Sequence, residues 1–276
     1  MQKQTPKWLD LFLTAFGAPG LVALAWWAGA FHAQRIRELQ FTYPILNITG
    51  NAGVGKSTLV ANLWKLVGSS DAENRNLSTC SMGALLAILA RAINRPVVLE
   101  EDGFGHDGYD WKALSDCYFG GTIAQRGSNP AAAGVRFQGA LAFVGSELET
   151  INSRIVNIHL QRTPRTADKN QAIQALYDLH ISDFSEFLAK VQKNREQLMY
   201  RLGHVGAYVE SLQVETDDRL SPNAARNHAQ LRVLVDLLAD LFPMADDRNA
   251  QHDAHCLIID MAWSHVPMAT AAPTHY

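Results

Sequence analysis

Cysteine is almost missing from this chain: Cys80, Cys117 and Cys256 are the only three among 276 residues. An odd, widely spaced set excludes a disulfide scaffold and fits a reducing, cytoplasmic setting. A charge excess is missing as well. The formal net charge is -3 and 18% of residues are charged, so no overall basic field marks a nucleic-acid partner. Positive charge confined to the inner channel of a ring would still be compatible with one. Internal repeats and long low-complexity tracts are absent, which excludes solenoid and fibrous architectures. An unbroken membrane-length apolar run is lacking too. Leu11 to Phe31 carries no ionisable side chain, but Pro19-Gly20 divides it into two shorter apolar helices rather than one spanning rod. No small-residue cleavage site of a secretory signal follows it.

What is present is an ordinary globular composition, 47% apolar, in a chain long enough for one large core or an α/β domain with an appendage. Four regions can be drawn. Residues 1–40 read as an apolar helical lead-in, and residues 41–161 alternate short apolar β-type runs with helical patterns, the signature of a parallel α/β sheet. Residues 162–243 read as wholly helical, a lid beside that sheet, and 244–276 as a loose tail. Strands are expected at 45–49, from Val97, at 140–144 and at 155–160. Helices are expected after Lys56 up to Gly68, from Ser78 or Thr79 to Arg91, and near 169–179, 184–202 and 224–241. The last of these should be capped by Ser221, with Pro222 in its first turn.

Gly50-Asn51-Ala52-Gly53-Val54-Gly55-Lys56-Ser57 carries every fixed residue of the Walker A pattern, after a strand and before a helix. Its glycines permit the positive φ that curls backbone N–H groups around an anion, and the helix directs its positive end at the same place. In that pattern Lys56 bridges the β- and γ-phosphates of ATP, Ser57 coordinates Mg²⁺, and Thr58 contacts the α-phosphate side. Pro96-Val97-Val98-Leu99-Glu100-Glu101-Asp102 follows as an apolar strand ending in acids. Glu100 is assigned to the metal and Glu101 to the attacking water, with a one-residue shift involving Asp102 left open.

Further on, Gly120–Gly127 and Val135-Arg136-Phe137 read as an inserted hairpin with Arg126 and Arg136 near its ends. Those arginines could grip a nucleic-acid backbone or stand solvated on a surface loop. The strand 140–144 leads to Ser146, a polar side chain placed to touch the γ-phosphate or the lytic water. Arg154 precedes the next strand, where an arginine can serve as a finger into a neighbouring subunit's site or stand on the surface.

This order of elements resembles the AAA+ ATPases of superfamily 3 helicase type, and most of all the helicase-type ATPase domain of toprim-containing primase–helicase proteins of plasmids and integrative elements. The residues that carry the likeness are the phosphate loop with Leu59-Val60-Ala61-Asn62-Leu63-Trp64, Pro96 to Glu101, Tyr118-Phe119-Gly120-Gly121, Phe137-Gln138-Gly139-Ala140, Ser153 to Leu160, and Asn227-His228-Ala229-Gln230. The resemblance implies a hexameric ring that uses ATP and Mg²⁺ to move on single- or double-stranded DNA during replication of a mobile element. Ser146 stands where that family usually has asparagine, Glu100 where it usually has aspartate, and the link from residue 146 to Arg154 is short. No primase or toprim domain is present, so the chain reads as a stand-alone module, a fragment or a divergent copy.

Other clusters carry less. His252, His255 and Cys256 lack a second metal-ligand pair, Cys117 lacks an adjacent histidine, and His228 reads as a packed helical residue. Two other readings of the whole chain stay open: a regulatory P-loop ATPase anchored in a membrane through Leu11–Phe31, and a small-molecule P-loop kinase.

Overall fold

The computed structural model describes residues 5–69, 75–100, 114–123, 135–145, 153–162, 164, 166–244 and 249–267. Its centre is a five-stranded, wholly parallel sheet built from β1 (Ile45–Thr49), β2 (Arg75–Asn76), β3 (Ile93–Glu100), β6 (Gln138–Gly145) and β7 (Ile155–His159), in the order β2-β3-β6-β1-β7. A separate antiparallel pair, β4 (Thr122–Ile123) and β5 (Val135–Arg136), forms the expected hairpin. The helices are α1 (Lys7–Ala30), α2 (Ala33–Gln40), α3 (Lys56–Lys65), α4 (Met82–Arg91), α5 (Ala167–Asp178), α6 (Ser185–Lys193), α7 (Arg195–Leu202), α8 (Val205–Glu215), α9 (Pro222–Leu241) and α10 (Ala250–Trp263).

Side-chain alternation divides the sheet between two cores. Leu46, Ile48, Val98, Ala142, Val144, Val156 and Ile158 face the larger core, with α1, α3 and α9. Ile45, Val97, Leu99, Leu141, Phe143 and Ile155 face the smaller one, with Leu85 and Leu89 of α4 and with Tyr118 and Phe137. Successive residues of a strand point to opposite faces, so apolar runs without polar gaps belong to a sheet covered on both sides.

The lead-in is part of this core. Residues 20–30 are buried throughout. Trp26 Nε1 donates to the carbonyl of Pro44 at 2.8 Å, and Tyr43 Oη donates to the carbonyl of Trp26 at 2.5 Å. Among the described helices α1 alone is long and apolar enough to cross a membrane, but its apolar side chains face protein here. The expected interruption occurs, two residues ahead of Pro19: Gly17 takes φ 56° and ψ −148°, a conformation open to glycine.

Several expectations are corrected. The helix ending at Arg91 is capped not by Ser78 or Thr79, which lie in or beside a 3-10 turn, but by Ser81 Oγ accepting from Ala84 N at 3.3 Å. The helix expected over 184–202 is two, α6 and α7, meeting at Asn194. Helix α8 falls in the block read as wholly helical, where no helix had been placed: Val205, Tyr208, Val209 and Leu212 stand at helical spacing and pack inward. Residues 250–263 are a helix rather than a loose tail, because Ala254, Ile258, Met261 and Ala262 form a stripe packed on α1 and α9. The Ser221–Pro222 start of α9 is as expected, with Ser221 Oγ accepting from Ala224 N at 3.3 Å.

Candidate functional site

All five strands run parallel, so the loops leaving their carboxyl ends share one edge, where α/β folds bind ligands. β1 delivers residues 50–55 to that edge, and α3 begins at Lys56. Gly50, Gly53 and Gly55 have φ of 137°, 78° and 103°, all in the region that favours glycine. Gly50 is further constrained, since a Cβ there would stand 2.4 Å from the carbonyl oxygen of Leu160. A Cβ at Gly53 or Gly55 would meet nothing within 4 Å, because both border open space. Lys56 Nζ folds over the loop and donates to the carbonyls of Gly50 at 2.5 Å and Asn51 at 3.2 Å. These carbonyls are weak partners that a phosphate can displace.

In front of the loop lies a cleft of about 1110 Å³. Ala52, Gly53, Gly55 and Thr58 form one wall. Phe16, Gly17 and Pro19 at the kink of α1, with Ile173 of α5 and Leu257 of α10, supply apolar lining. Arg162 and Lys169 add two cations, and no carboxylate lines the cleft among the described residues. An apolar surface beside a cationic cradle suits a ligand with a flat hydrophobic end and a polyanionic end. His159, at the end of β7, places Nδ1 3.0 Å from the Thr49 hydroxyl just ahead of the loop.

Glu100 ends β3 opposite Val144, while Gly145 on β6 pairs with Thr49. One strand therefore separates Glu100 from β1, about two interstrand spacings or roughly 10 Å. This puts the acid on the same edge as the phosphate loop. Glu101, Asp102, Ser146 and Arg126 lie outside the described residues. Arg136 is exposed on β5 opposite Thr122.

Arg154 stands at the other edge. It directly precedes β7, whose Ile155 pairs with Ile45 at the start of β1, so the length of a strand, roughly 16 Å, separates it from its own phosphate loop. There Arg154 Nη1 donates to Ser115 Oγ at 2.6 Å and Asp116 Oδ1 at 3.1 Å, and its guanidinium lies 4.8 Å from the Phe119 ring centroid.

Sequence reasoning missed Arg162, Lys169, His159 and the α1 lining. His159 ends, and Arg162 and Lys169 follow, a strand whose place beside β1 would have had to be known, and nothing local in residues 14–19 signals a ligand. A second open groove, about 990 Å³ between Lys7, Lys190 and Asp240, contains none of the motif residues. His252 and Cys256 sit 3.5 Å apart on the exposed face of α10, and no cluster of three metal-ligating side chains exists among the described residues.

No protein-family model matches the chain, and no curated protein does. Among solved structures the chain is similar to one described as "SCCmec type IV Cch - active helicase", with a TM-score of 0.68 and 13% identity over 95% of this chain and 52% of that one. A JCV helicase structure aligns with a TM-score of 0.33 and 15% identity, over 78% of this chain and 64% of that one. This chain thus spans about half the length of the SCCmec structure it matches. The likeness to that structure, with the strand order and the loop at residues 50–57, establishes an α/β fold of P-loop type, with a parallel sheet, flanking helices, a helical lead-in and a C-terminal helical block.

Proposed function

We propose that this protein binds and hydrolyses ATP as a motor of superfamily 3 helicase type, acting on DNA in the replication of a mobile genetic element. The observation that carries the reading is the phosphate loop at the carboxyl end of β1: three positive-φ glycines, Lys56 folded over their carbonyls, and open space in front. Backbone N–H groups, the start of α3 and Lys56 hold the triphosphate, and Arg162 and Lys169 extend the positive field along the cleft. The base lies toward Phe16, Pro19 and Leu257. Ser57 and Glu100 share an edge with the loop and would hold Mg²⁺, which offsets phosphate charge when bound. By their places in the sequence, Glu101 would orient the attacking water and Ser146 would touch the γ-phosphate or that water.

Arg154 belongs to this reading only if copies assemble. It lies too far from its own loop, so it serves as a finger in a neighbour's site within a homo-oligomeric, hexameric ring of AAA+ type. Arg126 and Arg136 on the hairpin meet the DNA backbone. Residues 41–161 form the nucleotide core, 1–40 its lead-in and 162–243 its lid, in a cytoplasmic protein. The buried second half of α1 supports a role for Leu11–Phe31 in the core rather than in a membrane.

The test is calorimetry with Mg·ATP on the folded chain, followed by turnover and size measurements with and without single-stranded DNA. Binding that Lys56→Ala removes, turnover that DNA raises, and a larger assembly with ATP are the expected results. A folded protein that takes up no nucleotide would end the reading at its base. Uptake by a monomer indifferent to DNA would leave a nucleotide-binding protein without the motor.

A further inference from the structure

The turn at residues 115–120 is held by two arginines from opposite sides. From inside, Arg37 of α2 donates to the carbonyls of Cys117 at 2.7 Å, Tyr118 at 3.1 Å and Gly139 at 2.7 Å. Its Cδ occupies the space a side chain at Gly120 would need, 2.7 Å from the position of a Cβ. The middle of the turn is fastened further, with Tyr43 N donating to the Tyr118 carbonyl at 3.0 Å and Tyr118 Oη to Asn227 Oδ1 at 2.6 Å. From outside, Arg154 holds Ser115 and Asp116 and lies over Phe119.

These grips differ in kind. Arg37 is buried, and its withdrawal would remove a charged hydrogen bond from each of three carbonyls at once. Arg154 is 28% exposed and its partner Asp116 52%, so solvent screens the pair and little holds it. Both of its hydrogen bonds also use the same Nη1, so one competing anion can take both. The turn leads straight into the hairpin. Phe119 N donates to Asp116 O at 3.1 Å, Gly120 N to Cys117 O at 3.2 Å, and Phe137 N, just past β5, to Gly121 O at 3.2 Å.

Resting on the oligomeric motor proposed above, we propose that Arg154 is a positioning residue that latches the foot of the β4–β5 hairpin. Its guanidinium is shared between Ser115 and Asp116 of its own chain and the terminal phosphate of nucleotide bound to a neighbouring copy. Nucleotide uptake by one copy then draws Arg154 off the turn and loosens Phe119 to Ile123 in the next. The site next door and the hairpin are coupled through the two positions of one side chain, each favoured by a different anion.

Amide hydrogen exchange at Phe119, Gly120 and Phe137 tests this, with residues 45–49 as the internal reference. Without nucleotide, Asp116→Asn and Arg154→Gln should each speed exchange at the three amides by about three- to tenfold, as expected for a weak surface latch, and leave the reference unchanged. Both positions are at the surface, so loss of fold would show as faster exchange in the reference. A saturating non-hydrolysable ATP analogue should raise the native protein to the variants' rate and leave the variants where they are. Native-like exchange in both variants overturns the latch. Exchange in the native protein that ignores bound analogue overturns its trigger. Calorimetry on the same samples separates that result from a protein that binds no analogue, which overturns the proposed function instead.

Discussion

Trp27 of α1 rests edge-on against Trp64 of α3, with ring centroids 5.0 Å apart and planes at 84°. One is buried in the lead-in, the other on the helix that starts at Lys56, so the phosphate loop is backed by the N-terminal helix as well as by the sheet. The aromatic pair adds geometric preference to the apolar area it removes from water.

Trp27→Ala should therefore destabilise the protein by about 3–5 kcal/mol, the usual loss for a buried tryptophan. Urea unfolding followed by circular dichroism measures it. A midpoint equal to that of the native protein would mean that α1 does not pack behind α3 as described.

Lys56→Ala should separate binding from folding. The ammonium touches two loop carbonyls and supports no core contact, so the unfolding midpoint should move by less than about 0.5 kcal/mol. ATP affinity should fall by roughly ten- to a hundredfold, the worth of a charged hydrogen-bonding partner. Isothermal calorimetry reads the second quantity. Undiminished affinity would remove the residue from the site.

The loop glycines should not respond alike. Gly50→Ala forces a methyl group within 2.4 Å of the Leu160 carbonyl at φ 137°, so β1 and β7 must separate at their carboxyl ends. Destabilisation above about 2 kcal/mol is expected. Gly53→Ala meets nothing and carries only the conformational penalty of φ 78°, on the order of 1 kcal/mol. Thermal melts of the pair should show a clear gap, and equal losses would contradict the close approach of Leu160.

Acid sensitivity should come from His228. Burial, and then the neighbouring His265 ring, lower its pKa to about 3 against an ordinary 6.5, while the hydrogen bond from Nδ1 to the Ala224 carbonyl opposes this more weakly. The unfolded chain takes up a proton below pH 6.5 and the folded chain does so only near 3, so stability falls as pH is lowered between those values. The slope approaches about 1.4 kcal/mol per pH unit. His228→Gln should reduce the slope of urea-derived stability across that window, with His32 and His265, whose pKa values burial also lowers, retaining the rest. An unaltered slope would place the acid sensitivity elsewhere.

The readable parts of this molecule were those where short-range chemistry decides. The Walker pattern needs its glycines in sequence order, and Ser221-Pro222 is a local start signal that α9 obeys. Strands covered on both faces announce themselves as apolar runs. The unread parts depend on distant partners. α8 hides its apolar stripe behind two glycines, and α10 reads as polar until α1 and α9 stand beside it. Arg37 looks like a surface charge in Arg35-Ile36-Arg37-Glu38, and only the packed turn at 117–120 shows three carbonyls converging on it. At the cleft, the order of strands rather than of residues brings Arg162 and Lys169 to the loop.

Phe16 and Leu257 line the same cleft from opposite ends of the described chain. During synthesis the ribosome releases the phosphate loop early, with one side of its pocket still unmade. Only when α10 emerges can the enclosure form, and a nascent polypeptide lacking it would present the phosphate loop in a half-built, solvent-washed recess.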